Sequence, residues 1–107
     1  MDGSREVVLM LTINFSPVRS DKGQLTASLA GKVLTVDGVA YDLDLVPDGA
    51  TVEHEVLQGL TRTGNDFELT LTLPHGAKAP EETRFPQPVM VTVDGDIDVP
   101  IFDEVVL

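Results

Sequence analysis

Apolar residues recur at every second position along most of the chain. Val7, Leu9, Leu11, Ile13 and Phe15 fall on one face of a first predicted strand. Phe67, Leu69, Leu71 and Leu73 do the same later, with Glu68, Thr70 and Thr72 turned outward. A period of two marks strands with one buried face. Thr and Val are frequent, and Gly and Pro punctuate at short intervals, as strand-and-turn sequences require. No long segment carries a helical period.

Registers follow from the same pattern, because directly paired residues of an antiparallel hairpin share a face. A two-residue turn at Asp37-Gly38 sets Val36 against Val39 and Leu34 against Tyr41. A turn at Ala30-Gly31 pairs Leu29 with Lys32, Ala27 with Leu34 and Leu25 with Val36, so residues 25–43 read as a three-stranded meander. A three-residue loop at Asp94-Gly95-Asp96 pairs Val93 with Ile97, Val91 with Val99 and Val89 with Ile101. A loop centred on Gly64-Asn65 pairs Leu60 with Leu69 and Val56 with Leu73, but leaves Gln58 opposite Leu71 and Arg62 opposite Phe67.

Two segments break the alternation. Val46 to Thr51 reads as a turn that leads into a short helical turn before Val56. Residues 74–88 carry four of the seven prolines (Pro74, Pro80, Pro86, Pro88), and Pro80-Glu81-Glu82-Thr83 suits the first turn of a short helix. A connection of this length inside a small domain is commonly ordered and functional. Seven or eight strands with tight turns predict one all-β domain over residues 1–107. Its architecture is a small antiparallel sandwich or an open barrel, built from hairpins, with one long Pro-rich loop over 74–88.

Composition sharpens the picture. A chain of 107 residues is one domain's worth, and 42% hydrophobic residues suffice for a core. Eighteen acids against seven bases give a formal charge of −11, which opposes binding to nucleic acid. The chain has no cysteine, which removes disulfides, thiolate metal sites and Cys nucleophiles. No stretch approaches the roughly 18–20 apolar residues that cross a bilayer, and no signal-peptide pattern opens the chain. The expected location is the cytoplasm in which the protein is made, or a larger particle that carries it.

Candidate chemistry is sparse. Asp94-Gly95-Asp96-Ile97-Asp98 resembles the start of a calcium loop, but Val99 and Val105 stand where an EF-hand needs Gly and Glu. His54 and His75 lie 21 positions apart without the clustered ligands of a zinc site. His75, Glu81, Glu82 and Arg84 come together along the Pro-rich loop. A His–carboxylate acid–base pair can be built from them in principle, but an Arg–Glu pair that pins the loop explains them more simply. None of the four serines sits in a nucleophile elbow. No catalytic set, cofactor or metal site is predicted. Six acids and no base lie between Lys32 and Arg62, and five acids and no base follow Arg84. On one surface they would attract a basic partner; dispersed, they confer solubility.

The turn Ser16-Pro17-Val18-Arg19, the hairpin Leu34-Thr35-Val36-Asp37-Gly38 and the loop from Leu73-Pro74-His75-Gly76 through Ala79-Pro80-Glu81-Glu82-Thr83-Arg84-Phe85-Pro86 carry a resemblance. They resemble small uncharacterised proteins of tailed phages and prophages of Gram-negative bacteria, often encoded near tail genes. That resemblance implies a tail structural component or an assembly factor. The expectation is therefore a non-enzymatic phage or prophage accessory protein that binds another protein, with phage tail proteins as candidates. An exposed strand edge or the 74–88 loop would carry the contact. The loop residues expected to carry it are His75, Glu81, Glu82, Arg84 and Phe85. One alternative is an acidic nucleic-acid mimic that blocks a host defence protein, and another is a small-ligand or carbohydrate-binding module. A second copy of the chain is a further candidate partner, through the apolar end Val105-Val106-Leu107. Neither nucleic acid nor membrane is expected as a partner.

Overall fold

Nine strands form among residues 9–103, which are the residues the computed structural model describes. They are β1 (Met10–Arg19), β2 (Ala27–Ala30), β3 (Val33–Val36), β4 (Val39–Asp42), β5 (Thr51–Val52), β6 (Gln58–Thr63), β7 (Asp66–His75), β8 (Val89–Val91) and β9 (Gly95–Asp96). One sheet runs β5-β6-β7-β1-β8 and the other β4-β3-β2-β9. Two sheets with free edges make a sandwich and not a closed barrel. The alternating residues of β1 and β7 (Leu11, Ile13, Phe67, Leu69, Leu71, Leu73) are buried, and they share one core with Ala27, Leu29, Leu34 and Val36 of the second sheet. Val7 of the predicted first strand and the Val105–Leu107 end lie outside the described residues.

The central ladder was not anticipated by hairpin reasoning. β1 and β7 run parallel over their full length, from Met10 opposite Asp66 to Arg19 opposite His75. A parallel pair needs a long crossover, and here the whole β2–β6 segment supplies it. Local hairpin signals cannot report such a pairing.

The predicted meander is present, with one adjustment. Val36 faces Val39 and Leu34 faces Tyr41, as expected. Asp37 and Gly38 both take positive φ, +49° and +84°, as a type I′ turn demands. The preceding turn is Gly31-Lys32, not Ala30-Gly31, so Leu29 faces Leu34 and Ala27 faces Val36. The register moves by two residues and keeps every face, which is why the apolar pattern could not separate the two choices. Gly31 takes the positive φ (+62°) of the turn, and Lys32 becomes free to reach Asp44 at 3.2 Å.

The middle hairpin agrees near its turn: Thr63 faces Asp66 and Arg62 faces Phe67. Beyond Thr61 the register shifts to Gln58 opposite Thr70, around Gly59 at φ +61°. This bulge inserts one residue and lets both Leu57 and Leu60 point inward. Gln58 thereby avoids Leu71 and donates to Thr72 Oγ1 at 2.8 Å. Arg62 also finds a place opposite Phe67, with its guanidinium 5.2 Å from the ring centroid. It donates from Nη1 to the Val46 carbonyl at 2.7 Å and from Nε to the Gly64 carbonyl at 2.9 Å.

The expected C-terminal hairpin does not form. β8 pairs antiparallel with β1, and β9 pairs with β2 in the other sheet, so residues 92–94 cross from one layer to the other. Val93 is left 72% exposed. Asp94 Oδ1 instead accepts the Gly31 N–H at 2.9 Å, which draws the crossing segment onto the second sheet. The turn expected at 46–51 is present, but its helical element precedes it as a 3-10 turn at Leu43–Leu45, with Asp42 accepting the Asp44 N–H. Among the described residues no helix is long and apolar enough to cross a membrane.

Candidate functional site

The Pro-rich loop is ordered by its own hydrogen bonds. β7 extends into it, taking in Pro74 and His75, and the helical turn α1 (Glu81–Arg84) follows with Pro80 at its cap. Glu81 and Glu82 project into solvent from the first turn. Thr83, between Glu82 and Arg84, is completely buried, and its hydroxyl donates to the Ile101 carbonyl at 2.6 Å. Arg84 donates from Nε to the Ala79 carbonyl at 3.2 Å, with its guanidinium 5.8 Å from the Phe85 ring. The ring is nonetheless 67% exposed. A large aromatic is thus displayed on a backbone that is tied from both sides.

Glu81, Glu82, Arg84 and Phe85 come together on this one turn, but His75 does not join them. His75 ends β7, half-buried, with Nδ1 donating to the Gly76 carbonyl at 3.1 Å. Its own carbonyl accepts the Ser20 N–H at 3.1 Å. No hydrogen bond or ion pair links it to Glu81 or Glu82, so the His–carboxylate pair considered for the loop is not formed. The Arg–Glu pair is not formed either. The salt bridges among the described residues are Lys32–Asp44 (3.2 Å) and Arg62–Asp44 (3.7 Å). The loop is pinned instead by the Thr83 hydroxyl, by Arg84 donating to a backbone carbonyl, and by backbone groups.

A strap built from the C-terminal segment, which sequence reasoning missed, completes that support. The Gln24 amide donates to the Pro100 carbonyl (3.0 Å) and accepts the Phe102 N–H (2.7 Å), taking the place of a strand neighbour. Gly76 N–H donates to the Phe102 carbonyl (3.0 Å), and Lys78 N–H to Asp103 Oδ1 (3.0 Å). Gly76 has no room for a side chain, because a Cβ would strike the Asp103 carboxylate. Residues 100–103 thus bridge the 20–25 loop and the Pro-rich loop without belonging to a strand. Each partner is more than twenty positions away except Thr83, so no local motif announces the clamp.

The acids have been put to structural use. Asp37, Asp42, Asp48, Asp94 and Asp103 each accept a backbone N–H, from Thr26, Asp44, Gly64, Gly31 and Lys78 respectively. Asp44 holds Lys32 and Arg62. Many of the carboxylates in the two acidic runs are therefore turn and loop anchors, the role for which a short acidic side chain is suited. No cluster of three or more His or carboxylate groups suited to a metal ion occurs among the described residues.

One cleft of about 370 Å³ lies at the far end of β1 and β7, within the range of about 300–1,000 Å³ that ligand clefts occupy. Its walls come from Leu71, Thr72 and Pro74 of β7, Val18 and Arg19 of β1, Ser20, Lys22, Gly23, Gln24 and Leu25 after it, Val36 and Asp37 at the end of β3, and Glu55 and Val56 before β6. Comparison with protein-family models, with curated proteins and with solved structures finds no match.

Proposed function

We propose that this protein is a non-enzymatic binding module, a tail component or assembly factor of a tailed phage or prophage, that docks a protein partner through the Glu81–Phe85 turn. The observation that carries the docking surface is Phe85: a large aromatic, mostly exposed, on a turn fixed by Thr83 and Arg84. An aromatic held in place loses little conformational freedom on binding, which is the property of an interface anchor. Exposed Glu81 and Glu82 beside it favour a partner with basic groups around an apolar pocket. The phage setting comes from the resemblance carried by the Ser16–Arg19 turn and the Leu73–Pro86 loop.

The test is affinity capture from a lysate of cells producing the phage, with tagged parent, Phe85→Ala and Arg84→Ala proteins. Phe85→Ala removes an anchor worth about 2 kcal/mol or more, about thirtyfold in affinity. The parent is expected to retain a virion or assembly protein that Phe85→Ala loses, while both variants keep the parent's thermal unfolding midpoint within a few degrees. Retention of the same protein by both variants would place the contact elsewhere.

A further inference from the structure

The two histidines use the same ring atom in opposite ways. His75 Nδ1 donates to the Gly76 carbonyl at 3.1 Å, a bond that an imidazolium makes equally well. His54 Nδ1 accepts, from the Val56 N–H at 3.0 Å and from the Leu57 N–H at 3.2 Å. Only the neutral ring with its proton on Nε2 has a lone pair at that atom. The pattern is that of an Asx turn, with an imidazole nitrogen in place of the side-chain oxygen. It lies between β5 and β6 and fixes the approach to β6, where Leu57 is buried. From the other sheet, Tyr41 of β4 meets the His54 ring edge to face, with centroids 5.2 Å apart. Glu55 and Val56, the residues enclosed by the turn, form one wall of the cleft. A single imidazole thus links the second sheet to the segment that shapes this wall.

We infer that His54 is an acid-released latch on the cleft wall: protonation of its ring frees residues 54–57 and opens the cleft on that side. A proton added at Nδ1 replaces the lone pair with an N–H aimed at two other N–H groups, so both bonds are lost together. A buried donor without a partner is costly, and the segment opens to solvent rather than leave the Leu57 N–H unpaired. Glu53 and Glu55 flank the ring along the chain, and both are exposed. Tyr41 is the titratable group that meets it from β4, and Arg19, Lys22 and Asp37 line the cleft together with Glu55. None of these groups hydrogen-bonds to the ring among the described residues, so no second contact replaces the two that protonation removes. His75 keeps its bond when protonated, so acid acts on the contacts of one histidine and spares those of the other. The inference does not rest on the Phe85 surface.

The test is amide exchange of the full chain, followed by nuclear magnetic resonance between pH 8 and pH 5, an interval that brackets the ordinary histidine titration at about 6.5. Each rate is divided by that of an unstructured peptide at the same pH, which removes the intrinsic pH dependence of exchange. Protection at Val56 and Leu57 is expected to fall about tenfold or more from pH 8 to pH 5, in step with the His54 ring signals. Protection at Leu69, in the β1–β7 ladder, should stay within about twofold. His54→Asn supplies an acceptor that does not titrate and should keep Val56 and Leu57 protected at both pH values. His54→Ala should leave them unprotected at both, and His75→Gln should preserve the parent's response. A soluble paramagnetic probe should relax the Val56 methyls about twofold faster at pH 5 than at pH 8, as an opened wall requires. Should the His54 variants fail to fold, the ring nitrogens of the parent report the same state, with Nδ1 bare and Nε2 protonated at pH 8. Protection at Val56 and Leu57 unmoved by pH, an equal response in His54→Asn, a loss shared by Leu69, Val56 methyls no more accessible in acid, or a proton on Nδ1 at pH 8 would each overturn the inference.

Discussion

Thr83→Val separates the role of one hydroxyl from that of the side chain's bulk. Thr83 is fully buried, and its Oγ1 donates to the Ile101 carbonyl at 2.6 Å. Valine keeps the shape, removes the donor and leaves that carbonyl without its partner. A net hydrogen bond is worth about 1 kcal/mol, and an orphaned buried acceptor costs about 1–3 kcal/mol. Ile101 is itself partly exposed, so water can reach the carbonyl, and the lower half of that range, about 1–2 kcal/mol, is the expected loss. Because the bond joins α1 to the strap and not to either sheet, the loss should be local. Amide exchange at Gly76 and Phe102, whose N–H groups are held within the strap, should accelerate about five- to thirtyfold, the kinetic equivalent of 1–2 kcal/mol. Exchange at Thr12 and Leu69, whose N–H groups lie in the central β1–β7 ladder, should change far less. Thr83→Ser provides the control: it keeps the hydroxyl and deletes a buried methyl, which lowers global stability by about 1 kcal/mol and should not single out the strap. Uniform acceleration across strap and core in Thr83→Val, or a selective effect in Thr83→Ser, would refute the reasoning.

Two further outcomes test the same architecture. Gln24→Leu removes both strap contacts of one amide, to Pro100 and Phe102, and should lower stability by about 1–3 kcal/mol in urea unfolding. In combination with Thr83→Val its cost should be less than additive, since both open one strap; strict additivity would show that they act separately. Arg62→Lys keeps the charge but loses the two-carbonyl fork and the stacking on Phe67. About 1–3 kcal/mol of destabilisation is expected, and an unchanged unfolding midpoint would mean that the charge alone matters.

How much of this was legible in the sequence depended on distance along the chain. The alternation of Leu9 to Ile13 and of Phe67 to Leu73 gave the buried faces correctly, and Asp37-Gly38 gave its turn and register, because both signals are local. The short helical turn after Pro80 was readable for the same reason. The parallel β1–β7 ladder was not readable, since any two alternating strands match in pattern, and orientation is decided by what packs between them. The Asp94–Asp96 hairpin failed instructively. Its apolar pairs were compatible on paper, yet β1 and β2 offered longer-range partners for the two arms, and Val93 was left exposed at the crossing. Of the proposed loop residues, four share one turn and His75 stands apart. The clamp of Gln24, Thr83 and Asp103 depends on contacts that no spacing rule encodes.

The prolines within strands show how the sandwich tolerates its open edges. Met10 and Ser20 direct their N–H groups to β7, so the odd residues of β1 face β8. β8 covers only Leu11 to Ile13, which leaves Phe15, Pro17 and Arg19 on an uncovered edge. Pro17 has no N–H to present there, and Pro74 has none on the free edge of β7. Each proline thus sits where it interrupts no ladder bond and deletes a donor that another strand would seek. A second copy of the chain that approached either edge would meet the missing donor and the repulsion of two bodies of charge −11.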